Sequence, residues 1–191
     1  MLPTSLYELP EGLPEPHDDG AANHLVGMQM PSVALPSTNG SLVDVGRPSE
    51  KRLAVYCYPM TGVPGTPLPT GWDEIPGARG CTPQAASFQQ HAAALRALQC
   101  GVYGVSTQST AVQSEVVERM HLTFELLSDA ELKLTRALRL PTFEVDGKTL
   151  IKRLTMIVRS GRIEHVFYPI FPPGRNVTDV LDWLATHPLV A

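Results

Sequence analysis

Apolar residues along this chain come in short runs broken by glycine and proline, and the spacing inside each run predicts its element. Residues 53–58 (LAVYCY) are continuously apolar, as in a strand covered on both faces, and 102–106 form a second such run. Between them, residues 83–99 place Phe88, Ala92 and Leu95 on one helical stripe. Thr82 is the expected N-cap, Pro83 the first helical residue and Gly101 the stop. A helix is predicted over 110–120, a short strand over 124–127, and a helix capped by Ser128 and Asp129 through about Arg139. Paired strands follow at 143–145 and 149–151 around Asp146-Gly147, then at 154–158 and 163–168 around Ser160-Gly161. An amphipathic helix over 177–186 carries Leu181 and Leu184. Near the start, 33–35 and 42–45 flank Asn39-Gly40, a hairpin turn signal.

This order predicts an α/β fold with a central mixed β-sheet flanked by helices on both faces. Reactive groups in such sheets collect at the carboxyl ends of the parallel strands. The long Gly- and Pro-rich loop over 60–80 follows the first central strand, and loops of that length inside a domain are often functional. Residues 1–26, with Pro3, Pro10, Pro14 and Pro16, read as an extended arm, and 27–191 as the folded domain. Leu2, Leu6, Tyr7 and Leu9 are the arm residues expected to pack on the body or on a partner.

Composition narrows the function classes. The 191 residues are 43% hydrophobic and 18% charged, an ordinary balance for one globular domain. Net charge is −4 and no Lys/Arg block is present, so neither nucleic acid nor an anionic membrane is an expected partner. No signal-peptide pattern and no stretch of transmembrane length occur. Three cysteines without a CxxC do not form a secreted disulfide framework, which points to a reducing cytoplasm. The six histidines, His17, His24, His91, His121, His165 and His187, lack ligand spacing, so no metal is expected. No phosphate-binding glycine loop is present, and no cofactor is expected.

One residue offers specific chemistry. Cys81 lies in Gly80-Cys81-Thr82-Pro83-Gln84, directly before the helical run. Free N–H groups and the positive dipole end at a helix start favour thiolate over thiol, and thiolate is the nucleophile.

Five segments carry a resemblance in the correct order: Tyr58-Pro59, Gly80-Cys81-Thr82-Pro83-Gln84, Val105-Ser106, Leu126-Leu127-Ser128-Asp129, and Arg153 to Val158 followed by Gly161-Arg162-Ile163. Together they resemble the peroxiredoxin (AhpC/TSA) family, most closely its bacterioferritin-comigratory (Q-type) members, over residues 27–186. The resemblance implies a thioredoxin-like fold and a thiol-dependent peroxidase acting on hydrogen peroxide or small organic hydroperoxides. Cys81 would then be the peroxidatic cysteine, oxidised to a sulfenic acid. Arg153 would favour the thiolate and donate to peroxide oxygens, Pro59 would wall the pocket, and Gln84, in place of the usual Glu, would help to position Arg153.

The chain also departs from the family pattern. Its Thr/Ser three residues before the cysteine is here Ala78, so Thr61 becomes the candidate for the hydroxyl role, with an insertion between Gly62 and Gly80. Trp72, Asp73 and Glu74 in that insertion either border the substrate entrance or only cover the sheet edge. The Q-type resolving position, five after the nucleophile, is Ala86. Cys57 lies in a buried strand and Cys100 at the opposite sheet end, so a one-cysteine cycle is expected. Its reductant would be thioredoxin, glutaredoxin or a low-molecular-weight thiol, and the protein a monomer or homodimer. The alternative is a redox-sensing or adaptor protein of the same fold that passes oxidation to a partner.

Overall fold

The run at 53–58 becomes the middle of the sheet. The computed structural model describes residues 8–47 and 50–189. Its central sheet has the order β5-β4-β3-β8-β9, formed by β3 (Arg52–Cys57), β4 (Cys100–Ser106), β5 (Glu125–Ser128), β8 (Leu154–Arg159) and β9 (Arg162–Phe167). β3, β4 and β5 are parallel, whereas β8 and β9 run antiparallel to their neighbours. The sheet is mixed, as the sequence predicts. Two small hairpins complete the strands: β1 (Ala34–Pro36) with β2 (Leu42–Asp44), and β6 (Thr142–Val145) with β7 (Lys148–Ile151).

Every residue of β3 is buried, because alternate side chains enter two different cores. Leu53, Val55 and Cys57 meet Leu134 and Leu138 of α4 (Lys133–Leu138), together with Leu25, Leu35 and Val45. Ala54 and Tyr56 meet the opposite layer. That layer comprises α1 (Cys81–Gln90), α2 (Ala92–Ala97), α3 (Thr110–Met120) and α5 (Asn176–Thr186). Asp129 caps α4 at a distance. Its buried carboxylate accepts from the N–H groups of Leu134 (3.0 Å) and Thr135 (2.8 Å) and from the Thr135 hydroxyl (2.7 Å).

Local signals fail in two places. The expected helix over 83–99 breaks at His91 into α1 and α2, and it begins at Cys81 with Gly80, not Thr82, in the N-cap position. Gly101 is not the stop. It lies inside β4, and the turn is made by Gln99 at φ 56°.

Leu2, Leu6 and Tyr7 of the expected arm lie outside the described residues. From Glu8 onward the segment follows the body: Ala22 and Leu25 enter the core, and His24 Nε2 lies 2.9 Å from the Leu138 carbonyl oxygen. Asp19 accepts from Lys152 Nζ (2.6 Å) and the Tyr168 hydroxyl (2.7 Å). Both bonds hold the Asp19 carboxyl far below its ordinary range. Among the described residues no helix is long and apolar enough to cross a membrane.

Candidate active site

Cys81 is the first residue of α1, at the carboxyl-end edge of β3, where the sequence pattern places it. Gly80 makes the turn into the helix possible on two counts. Its φ of 97° is left-handed, and a Cβ there would fall 2.5 Å from Pro173 Cγ and 3.0 Å from Leu9 Cδ2. No other residue type fits that approach. Leu9 therefore packs against the turn that presents Cys81.

The Arg153 guanidinium closes the site from the start of the β8 region. Its Nη2 donates to Cys81 Sγ at 3.2 Å and to the carbonyl oxygens of Gly77 (3.2 Å), Ala78 (3.3 Å) and Arg79 (2.9 Å). Its Nη1 donates to Gln84 Oε1. Among the described residues no carboxylate pairs with Arg153. Arg153 is 4% exposed, and the Cys81 sulfur is the one atom its guanidinium touches that can take up a full negative charge.

Gln84 is fully buried, and its amide cannot turn over freely. Its Nε2 donates to Asn176 Oδ1 at 3.0 Å, which leaves Oε1 facing Arg153. Asn176 Oδ1 also accepts from the Thr155 hydroxyl at 2.7 Å, so it is already committed as an acceptor. A neutral chain of Thr155, Asn176 and Gln84 thus aims a carbonyl oxygen at the guanidinium. Removing that oxygen with Gln84→Leu is expected to slow Cys81 oxidation by roughly ten- to hundredfold, since a buried donor is left unpaired. Gln84→Glu is expected to move the pH midpoint of oxidation upward, because an added anion competes with the thiolate for the same cation. Single-turnover oxidation measured across pH checks both; an unchanged midpoint in the Glu variant contradicts this account.

The remaining expected site residues separate. Trp72 is buried and lines a small cavity beside Cys81, together with Met60, Gly62, Leu68, Arg79, Gly80 and Thr82. Pro59 is buried but is not among the lining residues. Thr61 is also buried and is not among the lining residues, although its chain neighbours Met60 and Gly62 are. Its hydroxyl donates to Gln108 Oε1 (3.0 Å), its N–H donates to the same oxygen (2.9 Å), and its carbonyl accepts from Gln108 Nε2 (3.0 Å). The amide side chain of Gln108 thus takes the hydroxyl proton, the N–H and the carbonyl oxygen of Thr61. The hydroxyl residue at the cavity is instead Thr82, which the local pattern reads as a cap. Its place next to the nucleophile in sequence is the signal that could have found it.

The other two cysteines are poorly suited to react. Burial, reinforced by the Asp129 carboxylate, pushes the Cys57 thiol well above its ordinary range. Burial pushes the Cys100 thiol up to about 12. Cys57 pairs in register with Val105 and Arg52 with Cys100, so the two cysteines are offset by roughly 16 Å along the strands. All three cysteines are free. Among the described residues no group of His, Cys, Asp or Glu side chains is arranged to hold a metal ion.

The Redoxin family model matches residues 25–184. Peroxiredoxin Bcp of Escherichia coli (strain K12) is 29% identical over 161 residues, covering 82% of this chain and 93% of that protein. The chloroplastic peroxiredoxin Q of Oryza sativa subsp. japonica is 26% identical over 156 residues, covering 81% of this chain and 64% of that protein. In three dimensions, peroxidoxin BcpB of Mycobacterium tuberculosis superposes with a TM-score of 0.69 at 20% identity, covering 84% of this chain and 96% of that one. A cysteine-to-serine mutant of Xylella fastidiosa PrxQ gives 0.68 at 18% identity, with coverage of 85% and 96%. With a matching family model over most of its length and a thioredoxin-like sheet that presents Cys81 to Arg153, the chain belongs to the Redoxin family, as a peroxiredoxin of the Q-type kind.

Proposed function

We propose that this protein is a thiol-dependent peroxidase that reduces hydrogen peroxide or small organic hydroperoxides through Cys81. The observation that carries the reading is the 3.2 Å contact from Arg153 Nη2 to Cys81 Sγ, made by a cation with no carboxylate partner among the described residues. A thiolate is the state of sulfur that such a contact favours.

In the reaction, the Cys81 thiolate attacks the terminal peroxide oxygen. An S–O bond forms while the O–O bond breaks, and the electron pair leaves with the distal oxygen as hydroxide or alkoxide, which takes a proton to become water or an alcohol. Sulfur loses two electrons and becomes a sulfenic acid. In this reading Arg153 also donates an N–H to the departing oxygen and so stabilises the charge that builds there. Gln84 holds Arg153, and Thr82 is the hydroxyl-bearing residue among those lining the cavity. An external thiol then attacks the sulfenic sulfur and expels water, and a second thiol frees Cys81 as the disulfide of the reductant. Thioredoxin, glutaredoxin and low-molecular-weight thiols all fit this role. A reducing cytoplasm, the compartment proposed here, supplies them.

The cycle needs one cysteine. With excess peroxide and no reductant, mass spectrometry of the Cys81 peptide is expected to show stepwise oxygen addition through sulfenic to sulfinic acid. Peroxide consumption is expected to survive in the Cys57→Ser/Cys100→Ser double variant. Rapid accumulation of a Cys81–Cys57 or Cys81–Cys100 disulfide would refute the one-cysteine cycle.

A further inference from the structure

The cavity beside Cys81 is about 20 Å³. On the same measure a single water needs roughly 10–15 Å³, so the space suits a molecule of hydrogen-peroxide size and little more. Cys81 itself is 4% exposed. Any organic group on a hydroperoxide sits one bond beyond the leaving oxygen. It must therefore lie against the border of this cavity, whose large apolar lining residues are Met60, Leu68 and Trp72.

That border is fastened from three directions. Trp72 is buried with Ala78 and Leu150 in a small core of its own, and its ring centroid lies 6.2 Å from that of Phe143 on β6. Arg79 pairs with Asp73 across the short 3-10 helix Trp72–Glu74, Nε to Oδ1 at 2.5 Å. Arg153 ties down three successive carbonyl oxygens, those of Gly77, Ala78 and Arg79. Widening this border would break these bonds, and the apolar group of a bulky peroxide offers no hydrogen-bond partner to replace them. The apolar rim residues are held by the same structure that holds the catalytic guanidinium.

Resting on the peroxidase reading, we propose that residues 60–79 form a size filter that restricts Cys81 to hydrogen peroxide and comparably small hydroperoxides, with Leu68, Met60 and Trp72 as the specificity-determining residues. Branched and aromatic hydroperoxides are excluded at this border, before the S–O bond can form. The chemistry of the step is that given above: sulfur gains the terminal oxygen, the O–O bond breaks, and the leaving oxygen is protonated.

The test is single-turnover oxidation of Cys81, followed by rapid quenching and peptide mass analysis. Hydrogen peroxide, tert-butyl hydroperoxide and cumene hydroperoxide are compared in the wild-type chain, Leu68→Ala and Met60→Ala. Both variants truncate half-buried loop residues that pack on the outside of the Trp72 core and keep its buried members Trp72, Ala78 and Leu150; an unchanged melting curve checks that the loop stays folded. The wild-type protein is expected to react with hydrogen peroxide at least about a hundredfold faster than with cumene hydroperoxide. Leu68→Ala or Met60→Ala is expected to narrow that ratio by about tenfold or more. Similar wild-type rates with all three oxidants overturn the filter, as does a ratio that neither variant changes. Failure of every peroxide to oxidise Cys81 overturns the peroxidase reading itself, and the filter with it.

Discussion

Cys81→Ser is expected to abolish peroxide consumption, lowering the rate by about a thousandfold or more, because the hydroxyl that replaces the thiol is not ionised near neutral pH. The substitution removes one polarisable atom and leaves the helix start, Gly80 and the Arg153 bonds to Gly77, Ala78 and Arg79 in place. Loss of activity therefore reports on chemistry and not on folding, and an unchanged circular dichroism spectrum and melting curve check that. Cys57 and Cys100 cannot substitute, since burial raises both thiols and the sheet keeps them apart. Normal turnover by the Ser variant in a coupled peroxide assay would end the assignment of Cys81 as nucleophile.

Arg153 carries the second-largest expected effect. Arg153→Gln is expected to lower the second-order rate constant with hydrogen peroxide by roughly a hundred- to thousandfold, the range seen when a donor to developing negative charge is lost. Two functions disappear together: the positive charge beside sulfur and the N–H groups available to the leaving oxygen. Arg153→Lys separates them. The ammonium restores charge but is a point donor, and it cannot reach Sγ, Gln84 and the carbonyl oxygens at once as the planar fork does. Partial recovery in the Lys variant is thus expected, at a level between Gln and wild type. Stopped-flow oxidation of the three proteins decides it, and a Gln variant as fast as wild type would remove Arg153 from the mechanism. A loss of thermal stability is also expected in both variants, because Gln84 Oε1 and the loop carbonyls lose their shared donor.

Much of the architecture is legible along the chain. α3 (Thr110–Met120) spans the predicted 110–120, and the Asn39-Gly40, Asp146-Gly147 and Ser160-Gly161 turns each join the expected strands. The misreadings share a cause. Thr82 and Pro83 have the right chemistry for a cap and a first turn, yet Gly80 takes the cap position because only glycine fits the approach of Pro173 and Leu9. The hydroxyl of Thr61, the expected stand-in for the missing threonine, donates to Gln108, a partner that the sequence does not announce. Both outcomes depend on neighbours distant in sequence, to which local pattern is blind. Gln84 shows the converse. The family resemblance implies a positioning role for it, while Asn176, which orients it, stands 92 residues away with no local signal.

The alternation of buried strands and helices, the turns between them and the candidate nucleophile are all written locally in the chain. Each follows from side-chain periodicity, backbone freedom or the chemistry of one residue type. The surroundings of that nucleophile are not written there and arise from packing alone. Arg153 is 72 residues from Cys81, and its contact at 3.2 Å depends on β8 pairing beside β3. The volume left for substrate depends on how residues 60–79 pack against the β6–β7 hairpin. Distances and voids of this kind are sums over many packed side chains, so they exist only once the sheet and its two cores have formed.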